Sequence, residues 1–322
     1  MNNELIGENI ILALVPILMG SGLAIQTAIN SRLRMYVTSP YLSSAISFIV
    51  GAVFLLVLTL LSGQSPLISS TIITSNPWWL WFGGVVGSIA LTANVLLFPR
   101  LGSIQTSVLP VFGQIIMGMV IDQFGLFQSP QLGMTSTKVV GVVLVTVGML
   151  LATGIIRNRV KVISEINTSR VGRIGWQLFG IVAGALTSIQ TAINGHLGAV
   201  LRSPVHAAMI SFTIGAIILV IVTLSIRVPV RQNLMIAFNS GIGNWWIWIG
   251  GILGGSYVFA GSWLVPQIGT GQVVVIALFG QLLFSALIDQ FGYFGSHVNR
   301  ISMIRVIGLV ILFIGTLITH FM

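Results

Sequence analysis

Long apolar runs follow one another along the whole chain, and they limit its possible folds more than any other feature. Residues 41–61 and 137–156, for example, are almost entirely apolar. Their apolar residues are continuous and do not alternate with polar ones, which excludes the strands of a transmembrane barrel. Because hydrocarbon offers no partner to free backbone groups, runs of about 20 apolar residues form membrane-spanning helices.

The composition supports a membrane protein and excludes several other classes. Hydrophobic residues make up 55% of the chain and charged residues 6%, against about 25% charged residues in soluble proteins. The formal charge of +9 does not indicate a nucleic-acid partner, because the basic residues are scattered between the apolar runs. There is no cysteine, the four histidines lack ligand spacing, and no phosphate-binding glycine motif occurs. We therefore expect no metal, no cofactor and no nucleotide-driven pump.

Ten spans fit the sequence, five on each side of one long polar connection. Residues 1–9 contain two acids and no basic residue, so the first run is interpreted as a helix and not as a signal peptide. The predicted organisation is a first repeat at 1–156, a connection at 157–173 and a second repeat at 174–322. The predicted spans are residues 10–30, 41–62, 78–98, 103–121, 137–156, 174–194, 204–226, 245–265, 271–288 and 301–321.

An internal repeat relates the two sets of spans. The hexapeptide Ile-Gln-Thr-Ala-Ile-Asn occurs at 25–30 and again at 189–194, an offset of 164 residues. After a three-residue insertion the offset becomes 167, and it relates the Trp-Trp-x-Trp clusters at 78–81 and 245–248. The same offset relates Ile-Asp-Gln-Phe-Gly at 121–125 to its copy at 288–292. This register indicates duplication of a five-helix unit, which makes the chain an internal pseudo-dimer. It does not define a higher oligomer.

Because five is an odd number, the second copy is predicted to enter the membrane inverted relative to the first. Twelve of the fourteen basic residues follow odd-numbered spans, and two, Lys138 and Arg202, lie on the other side. The positive-inside rule then places both termini outside and the central connection in the cytoplasm. The predicted fold is all-α and polytopic, with ten transmembrane helices in two inverted-topology repeats. Lys138 is an exception to the charge pattern, because its repeat equivalent, Arg305, is also basic.

Inverted repeats are typical of secondary transporters, because two similar halves can exchange conformations and so alternate access. A channel or a lipid-handling scaffold without coupled transport is the alternative, since inverted symmetry is also compatible with a pore. An enzyme is not expected, because no span holds a catalytic constellation. The expected partners are a small-molecule substrate and the lipid bilayer.

Several motifs resemble those of a known family. They are Ile-Gln-x-x-Ile-Asn late in the first span, the Trp and Gly-Gly cluster of the third, and Gly-Gln followed by Ile-Asp-Gln-Phe-Gly in the fourth. In these the chain resembles the YdcZ-type family of the drug/metabolite transporter superfamily, and the resemblance covers both halves. It implies a fused ten-helix pseudo-dimer in the inner (plasma) membrane and an exporter of small metabolites or drugs. Residues 10–30 lack the glutamate that small multidrug-resistance exporters carry in their first helix.

Amide side chains inside the spans are the candidate binding residues. Gln114 and Gln281 lie about 3 Å from the midplane, where they would bind substrate or join helices through hydrogen bonds. Gln26 with Asn30, and Gln190 with Asn194, share helix faces toward opposite leaflets and are predicted to form two equivalent gates. A capped helix end is the favoured alternative for the two asparagines. The last candidate is Asn94, whose repeat equivalent is Gly261.

Two acids end the fourth and ninth spans, at the helix end that disfavours negative charge. An ion or proton role is one interpretation of Asp122 and Asp289. The following Gln-Phe-Gly-x-Phe favours the other, an interfacial turn with an Asx-type bond.

Glycines predict where the two halves meet. Gly141 and Gly148 are seven residues apart, and Gly308 and Gly315 repeat this spacing. We expect these small-residue seams to bring the fifth and tenth spans into contact.

Overall fold

The computed structural model describes residues 2–153, 170–239, 241–295 and 300–321. In this part of the chain the regular structure is entirely helical. The α-helices are α1 (Asn2–Val37), α2 (Pro40–Leu61), α3 (Ser70–Ser75), α4 (Gly83–Phe124), α5 (Ser136–Ala152), α6 (Arg170–Val200), α7 (Pro204–Ser225), α8 (Val230–Phe238), α9 (Gly250–Ile268), α10 (Thr270–Phe291) and α11 (Met303–Phe321). Short 3₁₀ helices occupy Trp78–Phe82, Leu126–Gln128, Ile242–Trp248 and Tyr293–Gly295.

The lengths and apolarity of these helices confirm an all-helical, multi-pass membrane protein. Six are long and apolar enough to cross a membrane: Ile11–Val37, Pro40–Leu61, Ile174–Val200, Pro204–Ser225, Gly243–Ile268 and Thr270–Phe291. Four shorter apolar helices cover Trp78–Ala93, Val108–Phe124, Ser136–Ala152 and Met303–Thr319. Each of the ten overlaps one predicted span. α6 begins at Arg170, inside the predicted connection, whose residues 157–169 lie outside the described part.

α4 corresponds to two predicted spans, and its two arms run in opposite directions. Helical turns follow one another along its whole length. Leu97 and Leu109 nevertheless both lie against Gly180 of α6, whereas they would be about 18 Å apart in a straight helix. The chain therefore reverses between them. We name the arms α4a (residues 83–97) and α4b (residues 108–124).

The two halves of the chain interlock through glycines. In α1, Gly20 lies against the backbone of Ala277 in α10, so that a Cβ atom on Gly20 would collide with it. In α6, Gly184 meets the backbone of Pro110 in α4b in the same way. These two contacts are repeat equivalents, and each joins one half to the other. Close approach of backbones through glycine is the usual means of packing helices in membranes.

Two phenylalanines pack where α2 crosses α7. The rings of Phe48 and Phe212 are stacked, with centroids 4.6 Å apart and planes 21° apart. Each ring also covers the glycine opposite it, Gly215 and Gly51 respectively. These four residues form two equivalent pairs under the repeat, so the crossing lies on the pseudo-two-fold axis that relates the halves.

The predicted contact between the fifth and tenth spans is confirmed. Gly148 of α5 lies against Leu312 of α11, and Gly308 of α11 lies against the backbone of Ala152. Gly141 and Gly315 meet further along the same seam, so the two helices run antiparallel. The absence of side chains at these positions lets the helices approach closely, as their spacing predicts.

Candidate functional site

Two amides of α1 contact the beginning of α9. The side-chain Nδ2 of Asn30 donates a hydrogen bond to Ser47 Oγ at 3.2 Å, and Gln26 Nε2 approaches the same oxygen at 3.5 Å. Their side chains fill the space that Gly250 and Gly254 of α9 leave open. Gln26 Oε1 and Asn30 Oδ1 are buried and accept no hydrogen bond. Unpaired buried carbonyl oxygens are costly, and they leave acceptors available in the bundle.

The equivalent amides of α6 contact the beginning of α4a. Asn194 is 1% exposed, and its Nδ2 donates a hydrogen bond to Ser211 Oγ at 3.1 Å. Its Oδ1 accepts no hydrogen bond and lies against Gly83. Gln190 packs against Gly87, and among the described residues its side chain has no hydrogen-bond partner. The two amide pairs therefore occupy equivalent positions in the two halves.

The favoured interpretation of the asparagines as helix-end caps is wrong. α1 continues to Val37 and α6 to Val200, well past Asn30 and Asn194. The backbone around each asparagine therefore remains within helical hydrogen bonding, and the side chains turn to serines of the neighbouring helices. The apolar pattern ends near both asparagines, but each helix continues on polar residues.

A small cavity lies between α6 and α9, beside the second amide pair. Gln190 and Asn194 line it together with Tyr257 and Ser262, and no charged side chain takes part. Ser262 Oγ donates its hydrogen to the backbone oxygen of Val258 at 2.8 Å. The lone pairs of this oxygen therefore remain available to accept a hydrogen bond. The hydroxyl of Tyr257 has no hydrogen-bond partner among the described residues. The volume is about 10 Å³, close to the space of one water molecule.

The sequence did not reveal two of these cavity residues. Tyr257 is a tyrosine in the middle of an apolar span, a position that could have singled it out. Its repeat equivalent is Ala90, so a search for polar residues shared by both halves passes over it. Ser262 hydrogen-bonds its own helix, as serines in apolar helices commonly do.

The other predicted amides lie elsewhere. Gln114 and Gln281 are half-buried and do not line the cavity. Neither side chain has a hydrogen-bond partner among the described residues, although the backbone oxygen of Gln114 accepts a bond from Ser188 Oγ at 2.7 Å. The side chain of Asn94 lies outside the described residues. The roles of these three amides in binding stay predictions.

Asp122 holds the first turn of a helix in the other half. Its carboxylate accepts hydrogen bonds from the backbone N–H groups of Thr270 and Gly271, at 2.7 and 2.8 Å. The side chain is buried, at 4% exposure. A carboxylate at this place satisfies N–H groups that have no partner within α10, and it complements the positive end of the helix. The Asx-type bond predicted for Asp122 is therefore replaced by a contact between the halves, although the predicted turn does form.

Asp289 has a different contact. Its Oδ2 lies 3.1 Å from an Nη2 of Arg305, and the acid is 33% exposed. Nε of the same arginine donates to the backbone oxygen of Ala152 at 3.0 Å. The pair therefore connects the ends of α10, α11 and α5. Within the described residues no group of acids and histidines could hold a metal ion.

The fold and the small uncharged cavity between two of its helices place the chain in the general class of multi-pass helical membrane proteins. The comparisons narrow this class. A family model described as "Putative inner membrane exporter, YdcZ" matches residues 11–151 and 175–318, which is nearly the whole chain. The chain belongs to the YdcZ family of the drug/metabolite transporter superfamily, a family of membrane exporters and not a class of enzymes.

Comparison of structures supports the fold alone. A crystal structure of another protein matches with a TM-score of 0.67 over 97% of this chain and 96% of that chain, at 14% sequence identity. No curated protein matches the sequence.

Proposed function

We propose that the chain is a secondary transporter of ten spans that exports small metabolites or drugs by alternating access of two inverted repeats. Several contacts support opposite directions of equivalent helices. α1 runs antiparallel to α9, since Gln26 and Asn30 meet Gly254 and Gly250 in reverse order. α6 runs along α9 in the same direction, since Thr191 and Gly195 meet Gly261 and Val265. α1 and α6 are repeat equivalents, and these contacts orient them oppositely, as inversion requires.

The distribution of basic residues supports the proposed orientation. The termini lie outside and the connection between the repeats lies in the cytoplasm. The localisation is then the inner membrane, with the pseudo-two-fold axis in the membrane plane.

The cavity of Gln190, Asn194, Tyr257 and Ser262 is the single observation that carries the proposed site. It offers amide and hydroxyl groups inside an apolar bundle and no charged side chain. Such a lining suits a neutral or zwitterionic compound, because the cost of taking a bare cation out of water would not be repaid. Several carbonyl oxygens of the amide pairs accept no hydrogen bond, so the compound should carry hydrogen-bond donors.

Binding requires the halves to move. A cavity of about 10 Å³ holds one water and not a metabolite. Both amide pairs are packed against glycines of the opposite half, so both gates are closed in this state. The cavity itself lies within the second half, and separation of Gln190 and Asn194 from α4a would free these two lining side chains and open the cavity toward one side. Separation of Gln26 and Asn30 from α9 would open the path to the other side.

The experiment is a stabilisation screen followed by counterflow. Purified protein is heated with neutral and zwitterionic metabolites, and compounds that raise the melting temperature are tested as labelled substrates in proteoliposomes. A transporter preloaded with unlabelled substrate accumulates label transiently, whereas a channel only equilibrates it. Accumulation is expected in the wild type and in the control variant Gln232→Leu, which changes an exposed residue of α8.

The cavity variants locate the site. Gln190→Leu and Tyr257→Phe should abolish stabilisation and counterflow while the protein still inserts and folds. Unchanged counterflow in both variants would reject the cavity as the site and return attention to Gln114 and Gln281. Equilibration without transient accumulation would support the channel instead.

A further inference from the structure

The turns that follow the two acids Asp122 and Asp289 are alike in both halves. In the first, Gln123 Oε1 accepts a hydrogen bond from the backbone N–H of Met134 at 2.6 Å. In the second, Gln290 Oε1 accepts one from its equivalent donor, again at 2.6 Å. The next glycine adopts a left-handed φ in both turns, 61° and 67°. The local structure around the acids thus obeys the repeat.

The acids themselves do not obey it. Asp122 binds two backbone N–H groups at the start of α10, across the boundary between the halves. The repeat would direct Asp289 to the N–H groups of residues 103 and 104 in the first half. Asp289 instead binds Arg305 of its own half. One pair of equivalent acids is therefore in two different arrangements.

The basic residues next to the acids differ in the same way. Lys138 is the repeat equivalent of Arg305, but its Nζ donates to the backbone oxygen of Gly133 at 3.4 Å. Lys138 lines a small cavity with Asp122 and Thr319. Thr319 is the equivalent of Ala152, whose backbone oxygen accepts from Arg305. The equivalent sites around Asp122 and Asp289 thus each contain an acid, a base and a helix end. Asp122 binds the start of a helix, whereas Asp289 binds the base.

We propose that the two acids exchange these arrangements during transport, which rests on the alternating access proposed above. In the present state Asp122 holds α10 and Asp289 holds Arg305. In the opposite state α4 breaks before residue 103, as the chain does between α9 and α10 here, and Asp289 takes the N–H groups of residues 103 and 104, while Asp122 releases α10 and pairs with Lys138. In the present state Asp122 binds a helix start while Lys138 bonds to Gly133, and Asp289 binds its base, so each acid has two alternative positions and acts as a lock. The exchange keeps one acid on a helix start in either state, which keeps the two states close in free energy.

This proposal gives a function to Lys138, the basic residue that does not fit the charge pattern. A partner for Asp122 is needed in the state in which α10 is released, just as Arg305 serves Asp289 in the present state. The need for a cationic partner is the same on either side of the membrane, which explains why both Lys138 and Arg305 are basic.

A buried thiol at the Asp122 end can report the state. Ser129 is 7% exposed, and its Oγ lies 3.0 Å from the hydroxyl oxygen of Thr270 in the first turn of α10. The chain has no cysteine, so Ser129→Cys is the only thiol in the protein. Its labelling by a permeable maleimide in proteoliposomes should be slow while Asp122 holds α10, and fast after release.

Three variants are predicted to change the labelling rate of this thiol, two of them upward and one downward. Asp122→Leu removes both bonds to α10 and should speed labelling about tenfold. Arg305→Met leaves Asp289 without its partner in the present state and should also speed labelling. Asp289→Leu should slow it, because the opposite state loses two bonds to a helix start while the present state loses one partly exposed ion pair. Even if Asp122→Leu fails to fold, the opposite signs of the other two variants test the exchange.

The controls separate this proposal from unfolding and from the function itself. Ser88→Cys, at 1% exposure in α4a, should label at one slow rate in all backgrounds. Rates that are equal, or that rise in all three variants, would overturn the exchange. The assay needs no substrate. If the protein transports substrate but the three variants do not change the labelling rate as predicted, the exchange of the acids is rejected and the proposed function is kept. If the labelling rates change as predicted but no transport is found, the exchange is kept and the proposed export function is rejected.

Discussion

Two glycines of α1, two residues apart, should respond in opposite ways to the addition of one methyl group. A Cβ atom at Gly20 would collide with the backbone carbonyl of Ala277, which belongs to a rigid helix. A Cβ atom at Gly22 would meet Leu253 Cδ2 at 3.9 Å, which is ordinary van der Waals contact. The repeat agrees with this difference, since the equivalent of Gly20 is Gly184 and the equivalent of Gly22 is Leu186.

The expected magnitudes follow from these contacts. Gly22→Ala should be neutral or stabilise the protein by up to about 1 kcal/mol, because alanine is the better helix former. Gly20→Ala gains the same propensity but forces α1 and α10 apart, so overpacking should destabilise it by about 1–3 kcal/mol. Gly184→Ala should match Gly20→Ala. The free energy of unfolding of purified protein, measured by denaturant titration in mixed micelles, gives these differences. Equal stability of Gly20→Ala and Gly22→Ala would refute the packing of α1 on α10.

Three further changes test other contacts. Asn194→Leu should lower the free energy of unfolding by only about 0.6 kcal/mol, the average for a hydrogen bond between membrane helices, and it should abolish counterflow. Normal counterflow in this variant would mean that Asn194 only packs the helices together. Phe212→Ala should lower the free energy of unfolding by about 3 kcal/mol, and a loss below 1 kcal/mol would mean that the stacked pair is not at the centre. Gly148→Leu should force α5 away from Leu312 of α11 and lower the free energy of unfolding by about 1–3 kcal/mol, whereas Val147→Leu, at an exposed position, should change it by less than about 0.5 kcal/mol. Equal stability of these two variants would mean that the seam is not a close contact.

Much of the fold follows from the sequence because the membrane restricts the choices. The length of the apolar runs predicts the ten apolar helices of the structure. The glycine spacing predicts the contact of α5 with α11. The repeat predicts that contacts come in equivalent pairs, as Gly20 and Gly184 show. Helix ends were less predictable, because α1 and α6 continue past the apolar runs on polar residues. Hydropathy cannot detect that extension.

The site was less predictable than the fold, because it depends on which helix faces meet. Gln190 and Asn194 could be selected from their type and position, whereas Tyr257 could not be selected by comparing the halves. The partners of Asp122 lie in the other half of the chain. Local sequence after Asp122 predicts the turn correctly, but it contains no information about Thr270.

The most direct test of the account is the orientation of the two repeats. The absence of native cysteine allows single cysteines at Asn3, at Glu165 and next to Met322 to be labelled with a membrane-impermeant reagent in intact cells and in inverted vesicles. Inverted five-helix repeats predict labelling from outside, from inside and from outside, respectively. Labelling of Asn3 and Glu165 from the same side would contradict both the odd number of spans in a repeat and the inversion on which alternating access depends.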